Sequence, residues 1–179
     1  PRLDKAARGL QYVEQPCRTI EELAAVRRRV QVPIAADESI RRAEDPLKVA
    51  VAGAADIAVI KCTPLGGVRR SLDVAAAAGL PCVVSSALET SVGLAAQLAL
   101  AGALPQMSHA CGLGTLSLLT SDLVAGPESL RPVDGYLPVP SAPPRPDPGL
   151  LDTYAMGDPE RVTWWTDRLH RAFRLLTGR

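Results

Sequence analysis

The chain has 179 residues, 47% of them apolar, with a formal net charge of +1 at pH 7. That length suits one domain with a sizeable core, and that composition excludes a disordered chain. Near-neutral charge gives no electrostatic case for a nucleic acid or a membrane surface as partner, and no apolar run reaches the roughly 18 residues of a membrane span.

Aromatic residues make up only 3%, so the core must be built from small and branched aliphatic side chains. Cys17, Cys62, Cys82 and Cys111 form no CxxC pair and no zinc spacing, and reduced, buried thiols are expected. No signal-peptide pattern opens the chain, and a soluble, cytoplasmic protein is the expectation. The chain begins at Pro1, and PRLDKAARGL reads as the end of a helix and its exit. An N-terminal part preceding Pro1 is therefore expected.

Short apolar runs alternate with helical patterns. LQYVE (10–14) predicts a strand. TIEELAAVRRRV (19–30) predicts a helix with Thr19 and Glu22 as a capping box. A strand over 32–37 precedes a helix over 45–55, with Asp45 as cap and Pro46 at its first position. A strand over 56–61 precedes a helix over 68–80, stopped at Gly79. A strand over 81–86 and a helix over 91–104 follow, then a shorter strand over 106–111 and a short helix over 112–119. The strand ends fall at residues 14, 37, 61, 85 and 111, at intervals of 23, 24, 24 and 26. Each interval holds one strand, one helix and two loops, which implies a parallel sheet with right-handed crossovers.

Five such units fit a doubly wound sheet or part of a (β/α)8 barrel. Glu14, Asp37 and Lys61 end three successive apolar runs. In a barrel those ends converge on one mouth; in an open sheet they spread along an edge. No GxGxxG or Walker sequence supports the open sheet. The expected architecture is α/β: a partial (β/α)8 barrel over residues 1–125, about strands four to eight. A Pro-rich wrapping segment (126–157) and a C-terminal helix (158–179) follow. In that helix Asp158 is the cap, and Val162, Trp165, Leu169, Ala172 and Leu176 make one apolar stripe, expected to dock on a neighbouring element.

Two carboxylates side by side at a barrel mouth repel and desolvate badly, and a hard divalent cation resolves this. A salt-bridged rim, with Lys61 paired to Asp37 or Glu38, is the bland alternative. His109 reads as a packed strand histidine, His170 as solvated and Glu89 as a helix cap. The Trp164–Trp165 pair reads as packing, and the basic runs Arg27–Arg29 and Arg41–Arg42 as solvated faces.

The motifs VEQPC, AADES, VIKCTPLGG, VVSSALETSVGLAA and CGLGTLSLL, in this order, resemble the fourth to eighth strands of an enolase-superfamily barrel. Within it they are most similar to the o-succinylbenzoate synthase family. The resemblance covers residues 1 to about 125. It implies Mg2+ held by Glu14 and Asp37, and Lys61 as the catalytic lysine on the far side of a small carboxylate substrate, stabilising the bound intermediate by its charge. It implies Ser85 and Ser86 holding the succinyl side of that substrate, and the Gly112 and Leu113 N–H groups binding a carboxylate. Glu38 is expected on the opposite strand face in a supporting place. The implied reaction is dehydration of a cyclohexadiene carboxylate through an enediolate, in menaquinone biosynthesis. The family's third metal ligand, its Lys-x-Lys base and its N-terminal capping domain have no counterpart in these 179 residues. A racemase of N-acylamino acids in the same superfamily, or a half-barrel without activity, are the alternatives.

Overall fold

The computed structural model describes residues 2–41 and 45–178. Four strands, β1 (Val13–Glu14), β2 (Ile34–Ala36), β3 (Ile57–Ile60) and β4 (Cys82–Val84), form one parallel sheet in chain order. The order has no reversal, so the sheet offers no switch point of the doubly wound kind. The register pairs Glu14 with Ala35, Ala36 with Ala58 and Ile60 with Val84.

Side chains alternate across a strand, and here the pleat sorts two layers. Ile34, Ala36, Ala58, Ile60, Cys82 and Val84 join the large core beneath the helices. Ala35, Ile57, Val59 and Val83 form a separate small cluster on the other face, with Tyr12 packed against it. The helices are α1 (Arg2–Ala6), α2 (Ile20–Arg27), α3 (Asp45–Val51), α4 (Cys62–Leu65), α5 (Val68–Ala78), α6 (Ser91–Ala103), α7 (Pro148–Thr153) and α8 (Pro159–Thr177). α1 ends in an exit through Arg8 and Gly9 at positive φ, closed by the Asp4 carboxylate accepting from the Leu10 N–H.

Local chemistry accounts for the helix boundaries. Both halves of the Thr19–Glu22 capping box are present on α2, an arrangement worth about 1 kcal/mol. α3 stops at Val51 rather than residue 55, because Gly53 takes a left-handed φ of 58° and the Ala54 N–H turns back to the Val49 carbonyl. Gly79 caps α5 in the left-handed region, as its position predicts. Asp122 reaches α6 from another part of the chain: its buried carboxylate accepts from the Ser91 N–H (2.9 Å) and the Ser91 hydroxyl. All four cysteines are free, and burial pushes the Cys62, Cys82 and Cys111 thiols up, away from the reactive thiolate form.

Three expectations need correction. The strand expected over 106–111 is reduced to a single bridge between Ser85 and Gly112; QMSHAC has no β-branched residue to favour extension. The helix expected over 112–119 is a 3-10 turn over Gly114–Leu118, with glycines at 112 and 114 weakening any α-helix. Finally, the α8 stripe docks on nothing among the described residues. Trp165 is 52% exposed and Leu169 67%. α4 and α7 are additional to the expected helices; Asp147 and Pro148 start α7 as Asp158 and Pro159 start α8. The Arg42 half of the Arg41–Arg42 run lies outside the described residues.

Candidate active site

The pleat that buries Ala35, Ile57, Val59 and Val83 on one face carries the next alternate residues of the same strands onto that face. These are Asp37 after Ala35, Lys61 after Val59 and Ser85 after Val83, with Glu14 following Tyr12 on β1. One face of the sheet thus delivers two acids, an amine and a hydroxyl to its C-terminal edge, the end at which barrels of this kind do chemistry.

Asp37 is 3% exposed. Its Oδ2 accepts from the Lys61 Nζ at 2.5 Å, and Lys61 is itself only 12% exposed. Arg41 Nη2 lies 3.8 Å from the other oxygen, Oδ1. That Oδ1 is buried and has no hydrogen-bond donor among the described residues. Glu14 neighbours Asp37: desolvation first, then the negative charge of Asp37, hold the Glu14 carboxyl above its ordinary range, opposed by Lys61. Two hard carboxylates in mutual repulsion, one with an orphaned buried oxygen, fit a hard divalent cation. No third His, Cys, Asp or Glu joins them among the described residues.

The bland rim pairing therefore exists in part. Lys61 does pair with Asp37, while Glu38 turns outward to Arg41 at 3.2 Å, as expected for the opposite strand face. The amine nonetheless is held out of solvent, its side chain 12% exposed against Asp37.

The two serines separate. Ser85 lies in the inward series and is half-buried, with its hydroxyl 3.4 Å from the Gly112 carbonyl. Ser86 is buried on the other side of the pleat. Its hydroxyl donates to Glu89 and accepts from the Thr115 hydroxyl at 2.6 Å, which leaves it no donor for a ligand. The Gly112 N–H is likewise taken up by the Val84 carbonyl at 2.9 Å; of the expected anion-binding pair this leaves Leu113. A Cβ at Gly112 would stand 2.7 Å from the Ser85 hydroxyl and would force that hydroxyl to turn away. The Ser86 hydroxyl and the Gly112 N–H are thus both engaged within the chain in this structure.

Three side chains, those of Glu89, Gln97 and Gln15, carry more of the site than their sequence context indicates. Glu89 accepts from Ser86, from the Ala87 N–H (2.7 Å), from Thr63 (2.6 Å) and from the Gln97 amide (3.0 Å). Fully buried Gln97 in turn accepts from the Cys62 N–H, the residue after Lys61. Gln15 ties the β1 end to the β2 end through its side-chain amide. A lone amide inside the apolar run of α6 is a signal for Gln97; the expected helix-cap role of Glu89 was too local. His109 meets Tyr12 edge-on, with ring centroids 5.3 Å apart, as a packed histidine.

Sheet, pleat and edge chemistry together define a C-terminal barrel segment of the enolase type. Residues 2–150 match the family described as Enolase C-terminal domain-like, and the chain belongs to it. It is 55% identical over 168 residues to an o-succinylbenzoate synthase of Mycobacterium tuberculosis, covering 93% of this chain and 49% of that one. It is 59% identical over 160 residues to that of Mycolicibacterium smegmatis, covering 89% and 48%. The chain thus spans about half the length of these curated relatives. Among solved structures it resembles a 2-chloromuconate cycloisomerase from Rhodococcus opacus (TM-score 0.77, 31% identity, 85% of this chain and 43% of that one). It also resembles the muconate lactonizing enzyme from Pseudomonas putida (TM-score 0.75, 30%, 84% and 44%).

Proposed function

We propose that the protein carrying this chain is an o-succinylbenzoate synthase. It dehydrates 2-succinyl-6-hydroxy-2,4-cyclohexadiene-1-carboxylate to o-succinylbenzoate in the cytoplasm, as a step of menaquinone biosynthesis. The observation that carries the reading is the convergence of Glu14, Asp37 and Lys61 on one strand-end edge, in a chain 55–59% identical to enzymes of that name. Similarity to the cycloisomerases is much lower, at 30–31%.

In this reading Glu14 and Asp37 hold Mg2+. When bound, the metal neutralises charge that builds on the substrate carboxylate as its α-proton leaves. Lys61 supports the same enediolate by its positive charge in a site sheltered from water. Ser85 and the Leu113 N–H orient the succinyl arm, while Ser86, Glu89 and Gly112 hold those groups in place. Loss of the ring hydroxyl makes the ring aromatic, so the site has mainly to position substrate and metal. Segments outside these 179 residues supply the proton-abstracting base, a third metal ligand and the cap.

The test is an assay of the full-length protein on two substrates with added Mg2+: the cyclohexadiene carboxylate, read by the ultraviolet absorbance of the aromatic product, and an N-acylamino acid, read by exchange of its α-proton. Dehydration is expected to dominate. Exchange alone would establish a racemase, and neither activity would leave a binding module.

A further inference from the structure

We infer that Gln15 is the positioning residue that sets the separation of the two metal carboxylates, and that metal affinity depends on it. The inference deepens the metal-site reading above and rests on it. Gln15 directly follows Glu14 and takes a left-handed φ of 37°, a region a side chain of its size rarely adopts. Its own N–H still continues the sheet ladder, donating to the Ala35 carbonyl at 2.8 Å.

What the strained backbone achieves is placement of the side-chain amide across the gap between the two strand ends. Gln15 Oε1 accepts from the Asp37 N–H at 2.9 Å and from the Ser39 N–H at 3.2 Å. Gln15 Nε2 donates to the Ser39 hydroxyl at 3.0 Å and to the Cys17 carbonyl at 2.9 Å. All four hydrogen-bonding valences of the amide are therefore used.

One of these bonds ends on Asp37 itself, two end on Ser39, two residues further along, and one ends on Cys17 in the loop that follows Glu14. The Cys17 bond folds the loop after Glu14 back on itself, and the Asp37 bond holds the backbone of the second carboxylate. Register alone cannot do this, because regular pairing between the strands stops at Glu14 and Ala35. Beyond that point the amide is the bridge that carries the spacing forward. Only a side chain with both a donor and an acceptor, at this reach, satisfies both ends; a carboxylate loses the donors and adds a third negative charge beside Glu14 and Asp37.

The test uses the full-length protein. Affinity for Mn2+ is measured by calorimetry, checked by electron paramagnetic resonance, beside thermal unfolding in the absence of metal. Groups that orient metal ligands typically change affinity by about 10- to 100-fold when removed, and Gln15→Met is expected to weaken Mn2+ binding within that range. A merely structural role would lower the unfolding temperature but leave the affinity of the folded protein unchanged. An affinity within twofold of wild type would overturn the inference. Should Gln15→Met not fold, Ser39→Ala decides: it removes one amide partner and is expected to weaken binding severalfold, and unchanged binding again overturns the role. Asp37→Asn is the control. Wild-type protein that binds no Mn2+, or binding indifferent to Asp37→Asn, sinks the metal reading itself. Binding lost in Asp37→Asn but intact in Gln15→Met and Ser39→Ala sinks only the role of Gln15.

Discussion

Two ion pairs in this molecule look alike by distance and differ in energy because of where they lie. Lys61 and Asp37 meet at 2.5 Å with side chains 12% and 4% exposed; Arg27 and Asp56 meet at 2.6 Å with side chains 38% and 34% exposed. Removing one partner of a buried pair leaves an uncompensated charge, at a cost of about 3–5 kcal/mol, whereas an exposed pair contributes roughly 0–1 kcal/mol. Lys61→Met is therefore expected to lower the unfolding free energy in urea by about 3 kcal/mol without metal, and Arg27→Ala by about 1 kcal/mol at most. Equal effects would show that solvent reaches Asp37. On the proposed function, Lys61→Met in the full-length protein is also expected to reduce turnover by about 10²–10³-fold, the range for lost electrostatic stabilisation of a developing anion. Activity within tenfold of wild type would remove Lys61 from the chemistry. These residues were legible in the sequence for a simple reason. One charge at the end of an apolar run fits a salt-bridged rim, but charges at three successive strand ends, with the spacing of 23 and 24 residues repeating, point to a shared site.

Between elements, Glu89 joins the ends of β3 and β4 to the 3-10 turn through Thr63, Ser86, Thr115 and Gln97. Burial pushes its carboxyl up, but hydrogen bonds from Ser86, Thr63, Gln97 and the Ala87 N–H outweigh this and hold it below the ordinary range. A lowered folded value means that the contribution is full above the unfolded value, about 4.3, and is lost as pH falls through the folded one. Acid titration of stability should therefore show a loss below about pH 4.3 that Glu89→Gln lacks. At pH 7 Glu89→Gln should be less stable by on the order of 2 kcal/mol, since one oxygen cannot serve four donors. Gly93 tests the same hub. In an ordinary helix interior Gly→Ala gains about 1 kcal/mol. Here a Cβ would stand 2.7 Å from Glu89 Cβ and Cγ, so Gly93→Ala is expected to destabilise, measured by thermal unfolding; a gain would show that the Glu89 stem moves freely. None of this was open to periodicity. The capping box on α2, the stop at Gly79 and the βα repeat are written in neighbouring residues, so they could be read. The Glu89 hub, the Asp122 cap on α6 and the Gln15 bridge join residues that only the finished fold brings together. α4 escaped for a different reason: four residues between Lys61 and Gly66 are too short for a helical period to appear.

At the scale of the molecule, α8 presents an unbalanced surface. Asp158 caps its start by accepting from the Glu160 and Arg161 N–H groups, and Gly178 closes its end in the left-handed region, so the helix is well specified locally. Yet Trp164, Trp165, Leu169, Phe173 and Leu176 are all more than half exposed along it. Isolated helices draw little stability from propensity and rely on burying such a face. Contiguous apolar patches of this kind on soluble chains mark surfaces that become covered. Expressed alone, these 179 residues are therefore expected to self-associate. Sedimentation velocity over a concentration series should show a weight-average mass that rises with concentration, and the paired change Trp165→Ser, Leu169→Ser should shift it toward the monomer while leaving the helical circular dichroism of the barrel segment in place. The sheet offers a second route to association through the outer edge of β1, which among the described residues pairs only with β2. The double variant separates the two: association that survives it runs through the strand edge, and association that disappears runs through α8. A monodisperse, cooperatively melting monomer of the unmodified chain would mean that the stripe finds cover within the chain itself, against the exposure of every described residue in α8.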